Sequence, residues 1–402
     1  MNFKRYVISR LQYIRNCSVI QLTLPLWQRL PVTSQFIVRP RSYQVQTSTW
    51  VAQSRQRIKH HSAGYLPLTP EHQITRKAPG TLDEQPHWKF DARTHDAPAT
   101  FVAIVPGGKV VGGSGAVVTS DNQLLFDVSK EFGVKNPEQH SLFRKWRASR
   151  LRYFETSVAV VATAGSQGYF HWMFDALPRI DLIQKSKLQP KLFVCNYQSS
   201  FQFESLQRLG ITTQQIIDSN YDTHVQAQQL IVPSLPGRTG NMTKQSCDFL
   251  RKTFLTEQSG NNERPLRLYI SRTEAQSRRI LNEDSVLAQL APHNFQVIKP
   301  EHLSIEEQAL LFSSAEIVIA PHGAGLTNLV FCPPGTAVIE FFSPRYVNVC
   351  YWALSNLLDL QYYYLLGDGE RPPEFHDPHD VGCDIVVNVS QFNKLLEKII
   401  TE

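Results

Sequence analysis

The chain has 402 residues, 42% of them hydrophobic and 10% aromatic, enough for two globular domains of ordinary size with extra segments. Its net charge of +6 sits in the first 80 residues, where twelve Lys and Arg face the single acid Glu71, while the remainder carries 29 basic against 34 acidic residues. No run reaches the roughly 18–20 apolar residues of a bilayer span, and six scattered cysteines (17, 195, 247, 332, 350 and 383) without a C-x-x-C pair argue against a zinc site or disulfide framework and favour a reducing compartment.

Residues 1–99 read as a basic, acid-poor extension and connection. Its apolar patch, Val19 to Leu30 with Trp27, fits three roles: a segment lying on an anionic membrane surface, a transit-type leader, or a solvated arm. It lacks the compact apolar stretch and cleavage site of a secretory signal. No nucleic-acid motif accompanies the charge, so no nucleic-acid partner is expected. The Pro-, His- and charge-rich stretch 60–100 is expected to be irregular. From Phe101 the chain turns β-rich, and the glycines at 107, 108, 112, 113 and 115 are assigned to turns between short strands, because no helix follows at once as a phosphate loop requires. Ser157 to Thr163 reads as a strand buried on both faces. Strands and helices alternate from there to Phe254, giving a first domain over 100–260. The polar segment Glu257 to Pro265 is its linker.

Alternation continues in a second domain over 261–375. A strand at Arg267 to Ile270 precedes a helix capped by Asn282, with Glu283 and Asp284 in its first turn. A strand at Phe295 to Ile298 precedes a helix opened by the capping box Ser304/Glu307. The run from Glu316 then passes through Pro321-His322-Gly323-Ala324-Gly325 into a helix near Leu326, a Pro333-Pro334-Gly335 turn and a strand at Ala337 to Phe342. Gln361 to Leu366 is the last strand, and 376–402 is expected to supply a helix packing back on the body. Alternation of this kind predicts an α/β protein of two doubly wound parallel domains, with ligand at the carboxyl ends of the strands and chemistry in the cleft between.

Three clusters carry the chemistry. His171 and Asp175, four apart on one helical face just past a buried strand, suit proton abstraction from a hydroxyl. Pro178 predicts a kink or early stop in that helix. Arg272, at a strand end, and Arg278 and Arg279, in the loop before the next helix, offer guanidinium forks for a diphosphate. Gly323 and Gly325 let backbone approach an anion at a helix start, with Ala324 between them and His322 as an added donor. Glu340, at the end of the next strand, is placed to accept from ribose hydroxyls. The group His376-Asp377-Pro378-His379-Asp380 looks metal-binding but reads as a solvated turn.

These clusters, in this order, resemble glycosyltransferase family 61. The matching elements are His-Trp-x-x-Asp-x-Leu-Pro-Arg at 171–179, Ser-Arg…Arg-Arg-x-x-Asn-Glu at 271–283, and His-Gly-Ala-Gly-Leu-Thr-Asn…Pro-Pro-Gly-Thr…Ile-Glu at 322–340, within a resemblance covering roughly 100–370. The resemblance implies an inverting transferase of two facing Rossmann-like domains (GT-B type), using a nucleotide sugar, commonly UDP-linked, with no cofactor and no metal. It assigns donor binding to Arg272, Arg278, Asn282, His322, Gly323, Ala324, Gly325, Asn328 and Glu340, and the acceptor side to His171 or Asp175. A bacterial capsular-polysaccharide type is expected, making cell-surface polysaccharide in the cytoplasm or peripherally at a membrane. Gly168 stands where many members carry Asn, so any contact of that Asn is missing. A sugar-nucleotide epimerase or hydrolase, and a non-catalytic nucleotide-sugar-binding protein, are the competing readings.

Overall fold

A computed structural model describes residues 39–57, 63–144, 150–256 and 265–401; the apolar patch at 19–30 and residues 257–264 of the expected linker lie outside them. Two large sheets organise the chain, one of ten strands and one of five. In the first, β1 (Thr100–Pro106) pairs antiparallel with a later strand, β5 (His224–Pro233). Between them in sequence lie β2 (Arg152–Val160), β3 (Leu192–Cys195) and β4 (Ile216–Asp218), which run parallel in the order β5-β2-β3-β4. On the other side of β5 the sheet continues as Lys109–Val111, Ala116–Val118 and Gln123–Leu125, each antiparallel to the one before it.

That wing corrects the expectation of a wholly doubly wound first domain. Four-residue links, 112–115 and 119–122, join its strands, and so short a link permits only antiparallel pairing. Residues 60–100 are not irregular either. Gly64–Thr69 lies along β1 and His72–Thr75 pairs with Thr94–Ala97, while Ser42–Gln44 closes the far edge beside Gln123–Leu125. Their apolar content is low, so pairing comes from the sheet edges they meet and not from an alternation visible in sequence.

The second sheet is parallel throughout. Its strands are β6 (Leu266–Ile270), β7 (Phe295–Ile298), β8 (Ala315–Pro321), β9 (Ala337–Phe342) and β10 (Gln361–Leu366), in the order β7-β6-β8-β9-β10. Val318, Ile319, Ala320, Val338 and Ile339 are fully buried, as strands covered on both faces require. The helices that matter below are α1 (Pro178–Lys185), α2 (Ser200–Arg208), α3 (Lys244–Phe254), α4 (Glu283–Leu290), α5 (Ile305–Ser313), α6 (Cys350–Leu357) and α7 (Val389–Thr401). The Ser304/Glu307 capping box opens α5, and α7 packs Phe392, Leu395 and Leu396 into the core.

The two halves share one apolar cluster, which holds Trp172, Met173 and Phe249 from the first and Leu268, Leu329 and Trp352 from the second; Phe254 meets Phe331 at 6.0 Å. A strap from the first half also crosses to the edge strand β10. Gly80 donates to the Tyr362 carbonyl (2.8 Å) and accepts from the Tyr364 N–H (3.1 Å), and Phe90 stacks on Tyr364 at 4.6 Å. No helix among the described residues is long and apolar enough to cross a membrane. Cys195, Cys247, Cys332, Cys350 and Cys383 are free thiols.

Candidate functional site

Strand order alone selects a place for a ligand. The chain goes from β6 outward to β7 and then back across to β8, so the loops after β6 and β8 diverge over opposite faces and leave a crevice between them. Arg272 follows β6 and His322 to Gly325 follows β8. A cavity of about 490 Å3 opens there, with Arg272, Pro300, Ala324 and Gly325 on one wall and Tyr169, Ser200 and Glu204 of the first half on the other. The short 3-10 helix Ala324–Phe331 starts at this cavity, and its first turn presents unpaired backbone N–H groups to whatever binds.

Gly323 is required for closeness and not for its torsion, since its φ of 174° is ordinary extended backbone. A Cβ there would stand 2.1 Å from Arg272 Nη1, so only glycine lets that guanidinium lie against the loop. Arg272 Nη2 donates to the Ser277 carbonyl at 3.1 Å, whereas its Nε is buried without a partner. Burial, and then the adjacent Arg278 charge, hold the Arg272 guanidinium below its ordinary value. Among the described residues neither arginine is in a salt bridge. Two buried or half-buried cations without a carboxylate form a site that an anion would stabilise.

Several predicted donor ligands have other duties. Arg278 Nε donates to the His322 carbonyl (3.0 Å) and Nη1 to the Val381 carbonyl (2.7 Å), so it fixes the loop and contributes charge more than a free fork. Glu340 is fully buried and cannot reach a ribose: one oxygen accepts from His322 Nδ1 at 2.5 Å and the other from the Tyr362 hydroxyl at 2.5 Å. It orients His322, whose ring stacks on Phe342. Asn282 caps α4 by position only; its amide clamps the backbone of Val387 through both ends, at 2.8 and 2.9 Å. Asn328 is likewise turned inward, donating to Gln308 and the Gly325 carbonyl and accepting from the Tyr169 hydroxyl at 2.8 Å. Arg279 pairs with Asp384 at the surface.

His171 and Asp175 lie outside this cavity but close to it. His171 Nδ1 meets Asp175 Oδ2 at 2.8 Å, and the same oxygen accepts from Thr239 at 3.2 Å. Asp175 is buried, while 27% of the His171 side chain is exposed. Gly165, at φ +78°, turns the preceding loop; a Cβ on it would stand 2.8 Å from the His171 ring. Pro178 marks an irregularity in the helix and opens a new helical segment. Its ring crowds the turn before it, the Leu177 N–H bonds back five residues to the Trp172 carbonyl (2.8 Å), and the chain then continues as α1. Arg179, the last residue of that motif, is fully buried; it donates to the carbonyls of Ala162 and Pro233 at 2.7 Å and so staples the ends of two strands.

A chain of rings links the two clusters: His171 to Phe170 (5.3 Å), Phe170 to Tyr351 (5.7 Å), and Tyr351 to His322 (5.4 Å). Tyr351, Tyr169 and Glu204 escaped the sequence reading. The last accepts the Ile305 N–H at 2.8 Å, a carboxylate from one half capping a helix of the other. A readable signal existed for its helix, the Ser199/Gln202 capping box that sets the start of α2 at the cavity. The only group that could hold a metal among the described residues is exposed Glu274, Glu301 and His302 on the cavity rim, where Glu274 is already paired with Lys299 and His302. The 376–380 turn is not such a group.

Residues 169–339 match the family model described as Glycosyltransferase 61. The chain is 34% identical over 97 residues to the EGF domain-specific O-linked N-acetylglucosamine transferase of Drosophila melanogaster, covering 23% of this chain and 18% of that protein. It is 37% identical over 139 residues to the protein O-linked-mannose beta-1,4-N-acetylglucosaminyltransferase 2 of Bos taurus, covering 31% and 23%. Over 62 residues it is 37% identical to the beta-1,2-xylosyltransferase RCN11 of Oryza sativa subsp. japonica, covering 15% and 12%. The chain thus spans less than a quarter of the length of each of these relatives.

Proposed function

From residues 169–339, which belong to glycosyltransferase family 61, we propose that the protein is an inverting glycosyltransferase of GT-B-type architecture, moving a sugar from a UDP-linked donor to a hydroxyl of a glycan or glycoconjugate. The observation that carries this reading is the pair of arginines without a carboxylate, Arg272 and Arg278, beside a glycine loop at the switch point of a parallel sheet. The relatives' names specify EGF domains and O-linked mannose as acceptors, which supports a glycoconjugate hydroxyl over a capsular polysaccharide. N-acetylglucosamine and xylose are the first sugars to try.

The transfer is a single displacement. His171 Nε2, with Nδ1 held by Asp175, takes the proton of the acceptor hydroxyl. The hydroxyl oxygen bonds to the anomeric carbon as the bond to the diphosphate oxygen breaks, and that electron pair leaves with the diphosphate. Arg272, the N–H groups at Ala324 and Gly325, and His322 oriented by Glu340 meet the growing negative charge from fixed positions.

The test is thermal denaturation with UDP, GDP, CMP and NAD. UDP at a hundred times its dissociation constant adds about 2.7 kcal/mol of stability, and Arg272→Ala abolishes the shift. Absence of any shift with UDP overturns the reading. Activity is expected to persist in excess EDTA, because the arginines and helix start supply the charge. Strong inhibition would move attention to Glu274, Glu301 and His302.

A further inference from the structure

Beyond Tyr346 the surface holds a second concavity, of about 460 Å3, lined by Trp88, Tyr346, Asn348, Phe375, Asp377 and His379. Phe375 is 68% exposed and sits at φ 63°, a left-handed conformation that bulky residues avoid. Trp88 faces it at 5.8 Å, and His379, also left-handed, lies 5.6 Å from Tyr346. The turn is built and anchored: Lys89 Nζ donates to Asp377 Oδ2 (2.5 Å) and to the Val347 carbonyl (2.7 Å), and Asp377 Oδ1 accepts the His379 N–H (2.9 Å). The 376–380 motif, read from sequence as a solvated turn, is one wall of this groove.

Its chemistry points to one class of ligand. The exposed Phe375 ring and the half-buried Trp88 lie beside a carboxylate, an amide and an imidazole, which suits the C–H face and the hydroxyl edge of a sugar ring. Lys89 is neutralised by Asp377, so the groove offers no spare cation for a phosphate. The groove adjoins the site described above through its wall: Tyr346, itself buried, contacts His322 at 5.5 Å and carries the Arg278 guanidinium over its ring at 5.4 Å. We propose that this groove is an acceptor subsite, holding neutral sugar units of the acceptor glycan beyond the one that reacts. The proposal rests on the glycosyltransferase reading.

The experiment is saturation-transfer NMR on the full chain with cellotetraose, mannotetraose and N-acetylchitotetraose as probes and UDP in the same sample. At least one tetrasaccharide is expected to bind. Phe375→Asn, which removes the ring but suits the left-handed backbone, and Trp88→Ala are each expected to weaken it about tenfold, with Trp88→Phe retaining most of the affinity. Melting temperature and UDP binding are expected to stay unchanged in Phe375→Asn. Failure of all three tetrasaccharides to bind, or binding unchanged in both Phe375→Asn and Trp88→Ala, overturns the subsite. UDP binding in the same spectra reports separately on the donor reading.

Discussion

Each half of the molecule contributes a histidine–carboxylate pair to the region of the candidate site, and the two are built differently. His322–Glu340, at 2.5 Å, is buried: the carboxylate has no exposure, its second oxygen is taken by Tyr362, and the His322 carbonyl is held by Arg278. His171–Asp175, at 2.8 Å, keeps its carboxylate inside but leaves the imidazole partly in solvent, on a widened helical turn. The contrast matches what the proposed transfer asks of each pair. A diphosphate is recognised by fixed charge, and a cradle whose groups satisfy one another stays in place without reorganising. A base must exchange a proton with an incoming hydroxyl, so one ring nitrogen has to remain accessible. On the proposed function, rigidity belongs to the donor half and openness to the acceptor half.

Substitutions can break this contrast, beginning with the open pair. His171→Ala is expected to lower kcat by about a thousandfold while leaving the melting temperature and UDP binding intact; steady-state kinetics beside a UDP titration reads both, and full activity would remove His171 as base. Glu340→Gln is expected to do the reverse of a clean kinetic lesion. It costs roughly 2–3 kcal/mol of stability by weakening two buried bonds to a charged group, and a chemical-denaturation curve unchanged from wild type would deny the buried pair its role.

A third variant, Gly323→Ala, tests closeness. The added methyl collides with Arg272 Nη1 and displaces the guanidinium at the end of its flexible side chain, so stability is expected to change little; UDP affinity measured by calorimetry should fall, and retained affinity would mean that Arg272 does not need its present position. The smallest effect is expected at the seam. Tyr169→Phe removes the hydroxyl bonded to Asn328 across the two halves, for about 1 kcal/mol. Melting temperature should drop slightly with kcat unchanged, and a large kinetic effect would instead make the seam part of the working cycle.

Much of the second half was legible before any coordinates. Strands at 295–298, 337–342 and 361–366 and the capping box at Ser304 fall where apolar runs, glycines and caps put them, because those signals act over a few residues. The first half was less legible. Its antiparallel wing and the strands within 60–100 owe their pairing to partners elsewhere in the chain, so local propensity was a poor guide.

The amino-acid sequence by itself determined which loops face the crevice: Arg272 after one strand and His322 to Gly325 after another, at the ends of β6 and β8. It also determined the His171–Asp175 contact, since four residues of helix bring the two side chains together. Only the tertiary structure decided what Glu340, Asn282 and Asn328 do. Their partners lie 22, 105 and 159 residues away, at Tyr362, Val387 and Tyr169. A buried polar group must find a hydrogen bond wherever the fold brings one, and no local pattern encodes that choice.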